Sequence, residues 1–184
     1  MYFGLSEEQE SIQDFVKKFL ADNATVDEIR KIANGEGEEL EKNIFDGILN
    51  LGINTLLIPE EHNGLGAGLL HAVAVAQALG AGVGPVPFVG SYVMAPIAIN
   101  LGGSEEQKNN YLPKIASNEL RFGIGMSEFV GAREDAGIEF SKHKLNGRAL
   151  FVLDAENSDF IILTNKSGNI CLLYTSDAAD EWRS

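Results

Sequence analysis

Few side chains in this sequence are equipped for chemistry, and fewer are spaced for it. The three histidines, His62, His71 and His143, are scattered, and each reads as a surface or loop residue rather than a ligand. The single cysteine, Cys171, excludes an internal disulfide and any multi-cysteine metal site. No metal site is expected. Arg133 follows a short apolar run and precedes Glu134 and Asp135. Its guanidinium fork could reach a phosphate, or could pair on the surface with those carboxylates. The surface pairing is favoured, because loop arginines are mostly solvated. The 27 acidic residues outnumber the 14 basic ones and give a formal net charge of −13. With no Lys/Arg cluster, the sequence excludes a nucleic-acid binder. Its acidic residues read as surface and capping groups.

The elements that must position these residues fall into two kinds. Up to about residue 119 the apolar pattern is helical. Ser6 with Gln9, Thr25 with Glu28 and Ser104 with Gln107 are three capping boxes, each a hydroxyl and a carboxyl or amide exchanging hydrogen bonds with the first free amides of a helix. Behind the first, Ile12, Phe15, Val16, Phe19 and Leu20 form an apolar stripe. A third helix is expected over Glu38 to Leu51, ended by Gly52. Pro59-Glu60-Glu61-His62-Asn63-Gly64-Leu65-Gly66 is an ordered loop. Leu69 to Leu79, stopped at Gly80, and Ser91 to Leu101 are buried helices. The helix opened by Ser104 should halt at Leu112, before Pro113, with a short turn of helix ending near Ser117.

From Leu120 the period changes. Phe122 to Met126, Ile138-Glu139-Phe140, Lys144-Leu145, Ala149 to Leu153 and Phe160 to Leu163 are short β-type runs. Asn146-Gly147 is a hairpin-turn signal between two of them. These strands need more partners to close a sheet. The fold class expected is a mainly α N-terminal helical bundle followed by a truncated antiparallel β domain. Its parts are 1–119, 120–170 and a tail, 171–184. No apolar run approaches the roughly 20 residues of a membrane helix. The N-terminus has no signal-peptide pattern, so a cytoplasmic location is expected.

Several of these segments resemble the acyl-CoA dehydrogenases. Pro59 to Gly66 is similar to that family's PEExGGxG-type loop. Gly103-Ser104-Glu105-Glu106-Gln107-Lys108, then Tyr111-Leu112-Pro113, resembles its G-T/S-E-E-Q-K…Y-L-P segment. Leu145-Asn146-Gly147 and Asn157-Ser158-Asp159 resemble its strand–turn–strand. The resemblance runs from about Leu5 to Thr164. It implies a helical domain, a central β-barrel-like domain and a C-terminal four-helix bundle. It also implies FAD, an acyl-CoA thioester substrate, and α,β-dehydrogenation, in which a carboxylate takes the α-proton while hydride passes to the flavin. That carboxylate belongs to the C-terminal bundle, so no catalytic residue is assigned in this chain. A homo- or hetero-oligomer is expected of the full-length protein, with no membrane span and no nucleic acid.

The flavin-binding positions implied by the resemblance are Met126, Ser127, Phe151 and Leu153, and Arg133 stands as the substrate-side candidate. Two motifs depart from the family. Its T-E-P-x-A-G-S-D run is here Ser127-Glu128-Phe129-Val130-Gly131-Ala132-Arg133-Glu134, which keeps the hydroxyl and loses the Gly-Ser-Asp step. Its W-I-T/S run is Phe151-Val152-Leu153, which keeps an aromatic face and loses a hydrogen bond to the flavin, unless backbone groups of the strand replace it. Two functions follow. One is a divergent FAD-dependent acyl-CoA dehydrogenase. The other is a non-catalytic, flavin-poor partner subunit of a heteromeric one. Cys171 to Asp180 resembles the translation of a widely used transposase sequencing adapter, which implies that the genuine sequence stops near Ile170 and that the tail carries no functional meaning.

Overall fold

The computed structural model describes residues 4–126, 137–141, 144–165 and the backbone of 170–174. The chain divides into two compact units, Met1–Phe88 and Val89–Ser184.

In the first unit, α1 (Glu7–Asn23), α2 (Val26–Ala33), α3 (Glu38–Leu49) and α4 (Leu69–Ala81) surround one aliphatic core. The capping boxes of α1 and α2 form as the sequence requires: Gln9 N–H donates to Ser6 Oγ while Gln9 Oε1 accepts from Ser6 N–H, and Glu28 and Thr25 do the same. Val16 and Leu20 of α1, Ile44 and Ile48 of α3, and Ala74, Val75 and Ala78 of α4 are buried together with Ile53, Leu56 and Ile58. Gln13 fixes α1 on α4, donating from Nε2 to the Ala74 carbonyl at 3.3 Å and to Gln77 Oε1 at 3.0 Å. Helix α3 ends two residues short of expectation, and Gly52 follows with φ of 80°, the left-handed turn that glycine permits. Helix α4 runs through Gly80 and ends at Ala81. The cost of a helical glycine, about 1 kcal/mol, is outweighed by the packing of Ala78 and Leu79.

The loop after α3 is closed by its own backbone. Leu65, Gly66 and Ala67 amides donate to the carbonyls of Thr55, Ile58 and Leu56 at 2.9, 2.8 and 2.7 Å. Gly64 lies so close to the Ile58 carbonyl that a β-carbon would occupy the same space. His62, in the 3-10 turn Glu60–His62, is buried within this loop. His71 belongs to α4, and its side chain is only 16% exposed, with Glu8 Oε2 3.6 Å from Nε2. It is therefore neither a surface nor a loop histidine. His143 lies outside the described residues.

In the second unit, the expected helix from Ser91 is two pieces. A π-helical stretch, Phe88–Met94, spans the boundary between units and gives way to α5 (Ala95–Gly102). Pro96 is the cause: it has no N–H for the Tyr92 carbonyl, yet suits the first turn of a new helix. Helix α6 (Glu105–Ala116) is continuous through Pro113, where a break was expected. Its Ser104–Gln107 capping box is complete.

Strands β1 (Phe122–Gly125), β4 (Phe160–Thr164) and β5 (Ile170–Tyr174) form one sheet in the order β1-β4-β5. β4 and β5 are antiparallel, but β1 and β4 are parallel, with Phe122 opposite Phe160 and Gly125 opposite Leu163. An antiparallel expectation fails at this pair because the chain between them is a crossover, not a turn. That crossover contains the hairpin of β2 (Gly137–Ser141) and β3 (Lys144–Arg148). Asn146-Gly147 is not its turn. Both residues lie inside β3, opposite Glu139 and Ile138, and Gly147, at φ of 142°, lets the Gly137 carbonyl approach its α-carbon. On one face of the sheet Ile161 and Leu163 pack with Ile138, Leu145 and Val152. On the other, Phe122 and Phe160 stack at 5.3 Å and Tyr111 of α6 meets both rings edge-on at 5.6 and 5.5 Å. The expected strand Ala149 to Leu153 does not form. Phe151 and Asp154 are left-handed, each with φ of 54°, and only Leu153 bridges to β1.

Candidate functional site

The residues considered for a cofactor converge on the C-terminal end of β1. The bridge between Ile124 and Leu153 is antiparallel and uses both backbone groups of each residue: Ile124 N–H donates to the Leu153 carbonyl at 2.9 Å and Leu153 N–H to the Ile124 carbonyl at 2.8 Å. Its antiparallel sense directs Phe151 toward the Met126 end of the strand. Met126 is half-buried. Phe151 is 74% exposed and Leu153 43% exposed. Ser127 and Arg133 lie outside the described residues.

What holds the start of β1 and the segment around Leu153 in place is a set of carboxylates and one hydroxyl. Asp154 Oδ2 accepts from the amides of Gly90 and Ser91 at 2.7 and 3.0 Å. Ser91 Oγ donates to the Phe122 carbonyl at 2.9 Å. Asp159 Oδ2 accepts from Arg121 N–H at 2.8 Å, while Asp159 N–H donates to the Arg121 carbonyl at 2.9 Å. The start of β1, the crossover and the π-helical turn are thereby tied together. Tyr92, beside Ser91, is buried and donates to Asn118 Oδ1 at 2.6 Å; burial pushes its phenol well above the ordinary tyrosine range, with Arg121 opposing and Asp154 assisting. Reading the sequence placed Asp159 in a family-like run but missed Asp154 and Ser91. No local pattern marks a carboxylate whose partners are more than 60 residues away.

A flavin can be tested against these groups. Phe151 presents an exposed ring and Met126 a thioether, both suited to a flat aromatic partner. The hydrogen-bonding edge is not matched. Leu153 has no polar side-chain atom and its backbone N–H is spent on Ile124, so this residue has no donor to offer a flavin, while its carbonyl, which accepts from Ile124 N–H, keeps a second lone pair. Continuing the parallel register, Thr164 is level with Met126. Its Oγ1 is buried without a partner, but it is enclosed by the chain and not presented to a ligand. The described residues therefore fit the ring of a flavin and not its polar edge. Among the described residues, no three His, Cys, Asp or Glu side chains gather as metal ligands.

A helical domain whose last helix leads into the first strand of a mixed, partial sheet, with an aromatic and apolar shelf at that strand's end, defines an α-plus-β protein of two-part construction. Residues 6–119 match the family described as acyl-CoA dehydrogenase, N-terminal domain. The chain belongs to the acyl-CoA dehydrogenase family. It is 28% identical over 174 residues to the mitochondrial isovaleryl-CoA dehydrogenase of Pongo abelii, covering 89% of this chain and 40% of that one. It is 26% identical over 203 residues to the acyl-CoA dehydrogenase FadE29 of Mycobacterium tuberculosis, covering 99% and 51%. Among solved structures, the ChsE4-ChsE5 complex from Mycobacterium tuberculosis superposes with a TM-score of 0.78 at 23% identity, over 95% of this chain and 49% of that one. An acyl-CoA dehydrogenase complexed with FAD from Bacillus anthracis gives 0.69 at 19% identity, over 93% and 31%. The chain thus spans between 31% and 51% of the length of these relatives. Among the described residues, no helix is long and apolar enough to cross a membrane.

Proposed function

We propose that this chain is the N-terminal part of an FAD-dependent acyl-CoA dehydrogenase that carries out α,β-dehydrogenation of an acyl-CoA thioester. The observation that carries the reading is the match of the whole helical domain to the family, continued into a β1 whose end offers Met126 and Phe151 to an aromatic ring. The FAD-bound relative from Bacillus anthracis supports the same cofactor. FAD supplies the hydride acceptor when bound. The residues of this chain contribute contact to its ring, with Ser127 proposed as a further contact and Arg133 as a phosphate or substrate contact. The proposed domain limits are 1–119 and 120–170, with 171–184 a foreign tail. The catalytic base is proposed to lie in sequence beyond this chain, and the enzyme to work as an oligomer in the cytoplasm.

One observation favours a second reading. Leu153 cannot donate a hydrogen bond to a flavin by side chain or by backbone, which suits a partner subunit that shapes a heteromeric dehydrogenase while another chain holds the cofactor. The likeness to the ChsE4-ChsE5 complex, a pair of unlike chains, is in keeping with it. The test is to express the complete gene alone and with a sister dehydrogenase chain, and to record flavin absorbance and acyl-CoA oxidation. A yellow, active protein when expressed alone supports the first reading. A colourless one, active only in the pair, overturns it in favour of the second.

A further inference from the structure

The helical unit holds a groove that the dehydrogenase reading leaves unused. It is built entirely from residues between Lys17 and Val83, and none of the flavin candidates contributes to it. Its volume is about 380 Å³, inside the roughly 300–1,000 Å³ usual for small-molecule sites. Helix α1 supplies Leu20, Ala24 follows at its C-cap, α2 supplies Ile29, and the end of α4 supplies Ala81. The space exists because small residues stand where the ends of three helices meet.

Two independent features mark this groove. The first is its lip. Val83 has φ of 50°, a left-handed conformation that a β-branched side chain rarely adopts, and remains 64% exposed. Val26, also in the lining, is 66% exposed. Two valines are thus held in water beside an apolar cavity. The second feature is charge. The lining contains two cations, Lys17 and Arg30, and no acidic side chain, in a chain of net charge −13. Lys17 Nζ donates to Gln13 Oε1 at 2.6 Å, and each cation has a carboxylate nearby outside the lining, Asp14 at 3.5 Å from Lys17 and Asp27 at 3.2 Å from Arg30. Both are solvent-exposed pairs within one helix, a weak class of interaction that an incoming anion can exchange.

We propose that this groove binds an amphiphile with one aliphatic chain and one anionic head, a fatty carboxylate, its chain among the alanines and Leu20 and its head between Lys17 and Arg30. The proposal does not depend on the flavin reading, since its residues and its ligand contacts are separate.

Calorimetric titration of the 184-residue chain with laurate, kept below its micellar range, tests it. Dodecanol and dodecyltrimethylammonium serve as neutral and cationic counterparts of the same chain length. Saturable one-to-one binding of laurate, with neither counterpart matching it, is expected. Ala21→Trp fills the groove from an exposed position of α1 and should abolish binding. The double variant Lys17→Glu with Arg30→Glu should weaken it about tenfold or more, with the thermal melt unchanged in both. Absence of saturable binding, equal binding of either counterpart, or full affinity in Ala21→Trp would overturn the proposal.

Discussion

The loop at 59–67 and the segment at 149–160 are both irregular chain, and they are held in opposite ways. The loop is closed by backbone groups eight to eleven residues away: amides of Leu65 to Ala67 reach back to carbonyls of Thr55 to Ile58. The segment is held by side-chain carboxylates whose partners are remote, 64 and 63 residues away for Asp154 and 38 for Asp159. A locally closed loop keeps its shape from its own sequence. A segment tied at long range keeps its shape only while the carboxylates remain. In the second segment the carboxylates that fix the chain are in place, while the position to which the family resemblance assigns a flavin hydrogen bond is filled by Leu153.

The contrast can be broken at either side. The largest effect is expected for Gly64→Ala, because the new β-carbon meets the Ile58 carbonyl, and backbone cannot step aside as a side chain can. We expect a loss of about 3 kcal/mol, the upper end of overpacking costs, measured by urea unfolding. Asp154→Ala leaves the Gly90 and Ser91 amides without an acceptor and should cost about 2–3 kcal/mol. Asp154→Asn keeps an acceptor and tolerates the left-handed backbone, so it should recover most of that loss. If Asp154→Ala melts like the parent, the long-range tie is not what holds the segment.

Smaller effects sharpen the local side. Ser104→Ala removes the acceptor for Gln107 N–H and should cost about 1 kcal/mol, seen as faster amide exchange in the first turn of α6. Glu28 gives the smallest effect. Hydrogen bonds from the Thr25 hydroxyl and then the Thr25 amide hold its carboxyl below the ordinary glutamate range. A depressed folded pKa means that the contribution is present above the unfolded value and is lost as pH falls through the folded one. The first turn of α2 should therefore fray on acidification, and Glu28→Gln should remove that dependence, as followed by amide exchange against pH.

The same contrast explains what could be read in advance. The three capping boxes and the loop at Pro59 are local patterns and appear where the sequence places them; the apolar stripe of α1 does so in part, with Val16 and Leu20 buried and Phe15 63% exposed. The errors fall where remote partners decide. Asn146-Gly147 has the composition of a turn, but pairing with Glu139 and Ile138 makes it strand. Ala149 to Leu153 has strand composition, but Asp154 and the single bridge to Ile124 turn it away. Pro113 reads as a helix end, yet Leu112 and Ile115 are fully buried on either side of it and keep α6 whole. At the candidate site, the aromatic at Phe151 and the missing polar group at Leu153 were visible in the sequence. That Leu153 has no backbone donor left to substitute was not, since it depends on Ile124.

The central claim is that the scaffold at the end of β1 is intact while its polar contact at Leu153 is missing. Its most direct test is an FAD titration of the complete protein with and without Leu153→Thr, followed by quenching of flavin fluorescence. Restoring one hydrogen-bonding hydroxyl should tighten binding about tenfold, from roughly 1–1.5 kcal/mol, with the melting temperature of the cofactor-free protein unchanged. Equal or weaker binding by Leu153→Thr would contradict the account.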